Sequence, residues 1–337
     1  MTVEKYPGYA VTTDRHQSSH PRVSVLITTY NQENLITQTV DSALMQVTDF
    51  PYEIVVGEDA STDRTRAIVV ELARRHPETI RVLLRDPEVA HRERHLFGKM
   101  NFLQALASCR GEYIAVLDGD DYFTSPHKLQ KQVDFLDARP DCMICFHNVT
   151  AVYEDTSRDP ENLCPDDQPE ITDIEQLLWG NFIPSCSIMY RREPVVQIPD
   201  WFLTAKVGDW PLYIFKAQHG KIGYLNEVMA AYRIHQGGVW SLWKRSRQLL
   251  ISLETLDHLD RDLHFKYHAS VRGAKTRLLF ELAELYMQRG HSRLALIPVR
   301  RAMWSSRGRH KGVLSLWLRL QTPGLYRGFR RLKGWLA

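Results

Sequence analysis

The sequence predicts an α/β fold, a mostly parallel sheet flanked by helices, with a helical segment appended at the C-terminus. Three observations carry this. Short β-branched runs end in polar residues, stretches of helix-spaced apolar residues separate them, and the alternation persists for about 130 residues. The expected partition is a lead-in over 1–20, an α/β domain over 21–240, and a helical region with a basic tail over 241–337.

VSVLIT, after Pro21, reads as a buried parallel strand ending in TTYN. Leu35, Ile36, Val40, Ala43 and Leu44 mark a helix over 34–46. YEIVVGEDAS is a second strand, and 63–76 the helix after it, closed by Pro77. IRVLLRD is a third strand, with HRERH beyond it expected as a solvated loop. A helix over 101–108 precedes Gly111, and EYIAVLDGDD is a fourth strand. A helix over 126–139 follows. CMICFHNVTAVYE reads as a strand, 155–170 as an exposed acidic loop, and 171–179 as a helix. FIPSCSIMYRR reads as a strand crossing back under the strand ends. GDWPLYIFKAQHG reads as a helix and KIGYLNEVMAAYRIH as a strand pair. Leucines at 249, 250, 253, 256 and 259, then at 278, 279, 282 and 285, mark two helices; a third runs over 292–304.

The totals exclude several classes. Hydrophobic residues make up 44% and charged residues 25%, as in an ordinary globular chain. Five scattered cysteines do not form a disulfide framework, and the lone Cys142-Met-Ile-Cys145 pair lies in a strand pattern, so it reads as structural. No run approaches the roughly 20 apolar residues of a membrane span, and the N-terminus lacks a signal-peptide core; a cytoplasmic protein is the expectation. The net charge of +3 is unevenly spread. Residues 290–337 hold eleven Lys/Arg and no Asp/Glu, leaving an acidic body and a basic tail.

In open parallel sheets, ligands sit outside the carboxyl ends of the strands. TTYN, GEDAS and DGDD should therefore converge on one site. Adjacent carboxylates such as Asp118, Asp120 and Asp121 are costly unless a cation, hydrogen bonds or protonation compensates them. Their oxygens suit Mg²⁺ or Mn²⁺, which complete their shells with water and phosphate oxygens. A solvated acidic turn is the bland alternative.

VSVLITTYNQENLI, EIVVGEDASTDRT and GEYIAVLDGDDYF, in that order and spacing, resemble the family 2 glycosyltransferases, which have the GT-A fold; the resemblance covers about residues 22–240. It implies an inverting transfer from a nucleotide diphosphate sugar, with a UDP-sugar the expected donor. Thr28 and Tyr30 match positions lining the base pocket, and Asp59 the carboxylate that reads the base. Glu58 stands where many members carry Asp. Asp118 and Asp120 match the DxD, the second as a direct metal ligand and the first facing ribose or metal. Asp121 faces the sugar or serves as a cap. Lys99 is a candidate phosphate partner. In VGDWPLYIF, Asp209 matches the general base, with Gly208 replacing a frequent Glu; an N-cap is the competing role. His235, in YRIHQGG, matches a position that completes the metal shell, and Gly237-Gly238 would let that segment close over the donor. Trp240 and Trp243 are read as packing ahead of sugar stacking.

The resemblance also implies a glycan or lipid-linked acceptor, in bacterial surface polysaccharide or glycolipid assembly. It favours an anionic membrane surface, at the inner face, as the partner of 306–337, ahead of packing on the acidic body or an oligomer interface; no nucleic acid is expected. Two rivals remain at this level. A nucleotidyltransferase would show a Gly-rich loop after the first strand, where TTYNQEN has none. A non-catalytic sugar-nucleotide-binding module would have no reason to keep Asp209 beside an intact DxD.

Overall fold

The computed structural model describes residues 9–11, 20–96, 98–155, 158–235 and 243–305. They fall into two compact units, Met1–Leu177 with Asn181–Gly238, and Leu178–Gly180 with Val239–Ala337. Most of the lead-in, Gly237-Gly238, Trp240 and the basic stretch 306–337 lie outside the described residues.

The first unit is a mixed eleven-stranded sheet. Its strands are β1 (Tyr9–Val11), β2 (Val23–Thr29), β3 (Tyr52–Glu58), β4 (Ile80–Arg85), β5 (Tyr113–Asp118), β6 (Tyr122–Phe123), β7 (Cys142–Tyr153), β8 (Glu161–Asn162), β9 (Ile171–Thr172), β10 (Met189–Arg191) and β11 (Lys221–Ile234). The spatial order is β1-β4-β3-β2-β5-β10-β7-β11-β6, with β8 beside β7 and β9 beside β11. β4, β3, β2 and β5 run parallel, as do β7 and β11, while β10 is antiparallel to both β5 and β7. Val23, Val25, Leu26, Ile27, Ile54, Val55 and Val56 are fully buried, which is why these strands read as unbroken apolar runs. Each such side chain contributes roughly 1.5–3 kcal/mol.

Helices α1 (Ile36–Leu44), α2 (Thr65–Arg75), α3 (Pro87–Arg92), α4 (Lys99–Ser108), α5 (Lys128–Ala138), α6 (Ile174–Trp179), α7 (Asp200–Thr204) and α8 (Asp209–Ala217) connect the strands. Several expectations are corrected here. The lead-in contains a strand, β1, paired with β4. HRERH is not plain loop: α3 precedes a 3-10 turn at Arg94–Leu96, and Asp86 caps α3 by accepting from the Glu88 and Val89 amides. Asp86-Pro87 is the cap-plus-N1-proline signature, so the signal was in the sequence. The acidic loop contains β8, and Ile171-Thr172 pairs with β11 before α6 begins. FIPSCSIMYRR is a 3-10 turn at Ser185–Ser187 and then the short β10. The supposed strand pair is one strand. Asn226 and Glu227 bulge out of β11 between Leu225 and Val228 instead of forming a hairpin turn, because β11 stays parallel to β7 on both sides of them. Cys142 and Cys145 are buried free thiols on β7.

The second unit contains α9 (Arg245–Asp262), α10 (His268–Gln288) and α11 (Ser292–Ser305). Leu249, Leu253, Leu256 and Leu259 are buried on α9 as the pattern requires, whereas Leu250 is half exposed. The Trp179 ring packs over Gly273 of α10, where a Cβ would lie 2.7 Å from the indole. The Arg247 guanidinium lies over the Trp243 ring. No helix among the described residues is long and apolar enough to cross a membrane.

Candidate active site

The site starts from two loops stitched together. After β2 the chain turns through Asn31, whose positive φ of 53° an asparagine tolerates. The Asn31 side chain accepts from the Thr62 amide at 2.8 Å. The amides of Asn31, Gln32 and Glu33 go to Ser61 Oγ, Thr65 Oγ1 and Asp63 Oδ2. With those amides committed across the loops, α1 begins at Ile36, two residues after the start of the expected span. Thr28 is near the end of β2, and Tyr30 opens this turn. Tyr30 is 42% exposed, and Thr28 faces Asp118 and Gly57 in the sheet register.

At the β3 end the two acids divide. Glu58 is fully buried and accepts from the Ser61 amide at 2.6 Å, with Arg66 3.6 Å away, so it anchors the turn. Asp59 is ion-paired to the buried Arg85, which also holds Glu93. Burial pushes the Asp59 carboxyl above its usual range, and Arg85 opposes that rise.

At the β5 end, Gly119 donates its amide to Thr28 carbonyl at 2.9 Å. A Cβ on Gly119 would lie 2.3 Å from Gln32 Oε1 and 2.9 Å from Thr28 O, so only glycine fits there. Asp118 accepts from Ser185 Oγ at 2.7 Å. Burial, then Asp120 and Asp209, push its carboxyl up to about 7, against the Ser185 bond. Asp120 Oδ2 lies 2.9 Å from His235 Nε2, a bond that raises the imidazole above its ordinary value. Asp121 turns inward and is 1% exposed. One of its oxygens accepts from the Arg233 amide at 2.8 Å; the other is buried without a hydrogen-bond partner. Burial and the neighbouring acids raise Asp121 well above the carboxylate range. Its place is structural: it ties the β5–β6 corner to β11, while the Arg233 guanidinium donates to Asp120 carbonyl and Gln38.

Asp209 is the first residue of α8, and Gly208, not Asp209, occupies the N-cap. Asn181 Nδ2 donates to Asp209 Oδ2 at 2.8 Å. Burial raises this carboxyl, opposed by the backbone amides of Trp210 and Asp209, then by Lys99 and Asn181. Lys99 is nearly buried, and its ammonium donates to Ala205 carbonyl at 2.7 Å. Burial lowers it to about 8, while Asp209 pulls the other way. A Cβ on Gly208 would approach Lys99 Cε to 3.3 Å, so the missing Glu leaves room for the lysine stem.

The structure therefore joins Asp120 to His235 directly, brings Asp118 and Asp209 into mutual electrostatic reach, and sets Lys99 beside Asp209. Thr28 lies near the end of β2 in register with Asp118, and Tyr30 and Asp59 follow the ends of β2 and β3. Among the described residues no group of three or more His, Cys, Asp or Glu is already disposed around one point as a metal cage. The donor chemistry nevertheless fits a divalent cation. Asp118 and Asp120 offer hard oxygens and His235 a nitrogen acceptable to Mn²⁺, and burial with the neighbouring acids raises Asp118. Ser185, Asn181 and Arg85 are the site residues that sequence reading did not supply.

This sheet order with acidic strand ends defines a GT-A fold. Two solved structures agree. Staphylococcus aureus TarS 1-349, in complex with UDP-GlcNAc, superposes with TM-score 0.54 at 18% identity, over 90% of this chain and 92% of that one. The mannosyltransferase PcManGT from Pyrobaculum calidifontis, in complex with GDP-Man and Mn²⁺, gives 0.52 at 18% identity, over 96% and 87%. The chain belongs to glycosyl transferase family 2, whose model matches residues 24–198. An uncharacterized Mycobacterium tuberculosis protein is 38% identical over 218 residues, which are 65% of this chain and 60% of that protein's length. TuaG of Bacillus subtilis, named for a glycosyltransferase role in teichuronic acid biosynthesis, is 28% identical over 247 residues, 71% of this chain and 90% of TuaG.

Proposed function

We propose that the protein transfers a sugar, with inversion, from a nucleotide diphosphate sugar to an acceptor hydroxyl. The observation that carries this is the set Asp118, Asp120 and Asp209, whose mutual charge and burial hold Asp118 near 7. A divalent cation would compensate such a set and in turn attract a diphosphate, and one carboxylate is left for proton transfer. A Mn²⁺ or Mg²⁺ ion held by Asp118 and Asp120, with His235, would neutralise charge on the departing diphosphate. Asp209, oriented by Asn181 and by the amides opening α8, takes the acceptor proton as attack proceeds. Thr28, Tyr30 and Asp59 bind the nucleoside. Lys99 acts on Asp209 and, in that position, keeps the base ionised.

A UDP-sugar is the favoured donor, supported by the UDP-GlcNAc complex of TarS; the GDP-Man complex of PcManGT marks the competing nucleotide. The likeness to TuaG supports an acceptor in surface polysaccharide assembly, either a glycan or a lipid-linked glycan. In that role residues 306–337, with eight Lys/Arg, would bring the protein to an anionic membrane surface at its inner face.

A thermal-shift screen of UDP-, GDP- and dTDP-sugars with Mn²⁺ tests the donor, since a ligand of the folded state raises its melting point. Asp209→Asn tests the base. It should keep donor-dependent stabilisation and lose transfer by about 10²–10⁴-fold, the worth of a general base. Full activity in that variant would remove Asp209 from the chemistry.

A further inference from the structure

Helix α11 presents a face that the glycosyl-transfer chemistry does not use. Leu294 is 48%, Ile297 61% and Trp304 89% exposed, while Ala295, Val299 and Ala302 on the opposite side are fully buried. At 100° per residue, Arg300, Arg293, Trp304, Ile297, Arg301 and Leu294 fall in that order across one stripe of roughly 120°. The three arginines are exposed and α11 carries no acidic residue. Apolar and cationic groups thus share a single surface, with the indole between Arg293 and Ile297.

The chemistry of the face selects its occupant. A second copy docking through the same face would set arginines against arginines. The chain's own segment 306–337 is itself basic, so like charge opposes its lying on the stripe. Nucleic acid would meet the arginines and the indole, but Leu294 and Ile297 would gain nothing from a phosphate backbone. An anionic lipid surface satisfies every group. Arginines meet headgroups, the indole sits at the interface, and the aliphatic side chains enter the acyl boundary. We propose that the exposed face of α11 is a docking surface for an anionic bilayer. This extends the membrane reading made for 306–337 to residues of the folded helical unit, and it rests on α11 alone.

The test uses the full chain and no sugar donor, so its failure is separate from failure of the transfer reaction. Cosedimentation is measured with phosphatidylcholine vesicles and with vesicles containing phosphatidylglycerol. The native protein should bind only the anionic vesicles. Ile297→Ser with Trp304→Ser, and separately Arg300→Glu with Arg301→Glu, should each weaken binding at least tenfold. The charge pair should act on the order of a hundredfold, because two favourable charges become two unfavourable ones. All four side chains are exposed, so melting temperatures should hold, and the two variants alter different chemistry should either misfold. A third variant, Arg330→Gln with Arg331→Gln and Lys333→Gln, reads the contribution of 306–337. Loss in the α11 variants beyond that of the tail variant supports the proposal. Unchanged binding in the α11 variants overturns it, as does a native protein that ignores anionic vesicles. A concentration-dependent dimer abolished by Ile297→Ser with Trp304→Ser, or equal binding to an oligonucleotide, also overturns it.

Discussion

The β3 end and the β5 end of the sheet both carry two or more acids, and the fold treats them oppositely. At β3, Asp59 is paired to a buried arginine and Glu58 is spent on a turn amide. At β5, among the described residues, Asp118 accepts from a serine hydroxyl, and the charges that act on it are other carboxylates. The first end is complete in itself. The second gathers negative charge that a divalent cation would offset. One sheet thus carries, at one strand end, acids already paired within the protein and, two strands away, acids whose nearest charged neighbours are other acids.

The largest effect expected from this contrast is on metal removal. Chelation by EDTA should suppress sugar transfer by about a hundredfold or more, since a bound divalent ion supplies several kcal/mol at a developing charge. Added Mn²⁺ should restore it, and Asp120→Asn should mimic the loss without Mn²⁺ rescue. Transfer that is indifferent to EDTA would leave the acids at β5 without their proposed counter-ion. The contrast between the two ends would then collapse.

Next comes the completed end. Arg85→Met leaves Asp59 and Glu93 without their shared partner in a buried setting. Removing one member of such a pair costs about 3 kcal/mol. Urea unfolding should show that loss, and UDP should bind more weakly. A change under about 1 kcal/mol would mean Asp59 does not need its arginine.

The two ends were unequally legible. The β5 acids were readable because three of them lie within four residues of one strand end, LDGDDYF. Arg85 was not, because it reaches Asp59 across 26 residues of chain and sits in a strand pattern where an arginine reads as ordinary. Ser185 and Asn181 were hidden for the same reason: they contact Asp118 and Asp209 from 67 and 28 residues away. The four parallel strands were legible through burial on both faces. The second half was less so, since β8, β9 and β10 are two or three residues long and take their form from pairing partners rather than from local pattern.

A smaller effect follows from the incomplete end without ligand. Asp118, Asp121 and Asp209 all have folded values raised above the unfolded value of about 3.9. Between the two values the folded chain binds more protons than the unfolded one. Stability from these groups is therefore present at low pH and lost as pH rises through the folded values, to about 7 for Asp118. In the absence of metal and donor, the melting temperature should fall as pH rises from about 4 to about 7. Asp118→Asn should flatten that fall, and Mn²⁺ with UDP should do the same in the native protein. An unaltered slope in Asp118→Asn would show that its burial carries no charge deficit.

The smallest effect separates Lys99 from the phosphates. Its ammonium donates to Ala205 carbonyl and lowers Asp209, in space left by Gly208. In Lys99→Met that opposing charge is gone, so the Asp209 carboxyl rises and the base must be ionised at higher pH. The acidic limb of the kcat profile should move upward by less than about one pH unit, with KM for the donor nearly unchanged. A phosphate-binding lysine gives the reverse pattern: KM rises several-fold and the limb stays in place. Gly208→Ala offers a milder version of the same displacement, because the added Cβ presses on the lysine stem and leaves its charge intact. If both substitutions shift the limb in proportion, Lys99 tunes the base through Asp209 and does not serve the phosphates.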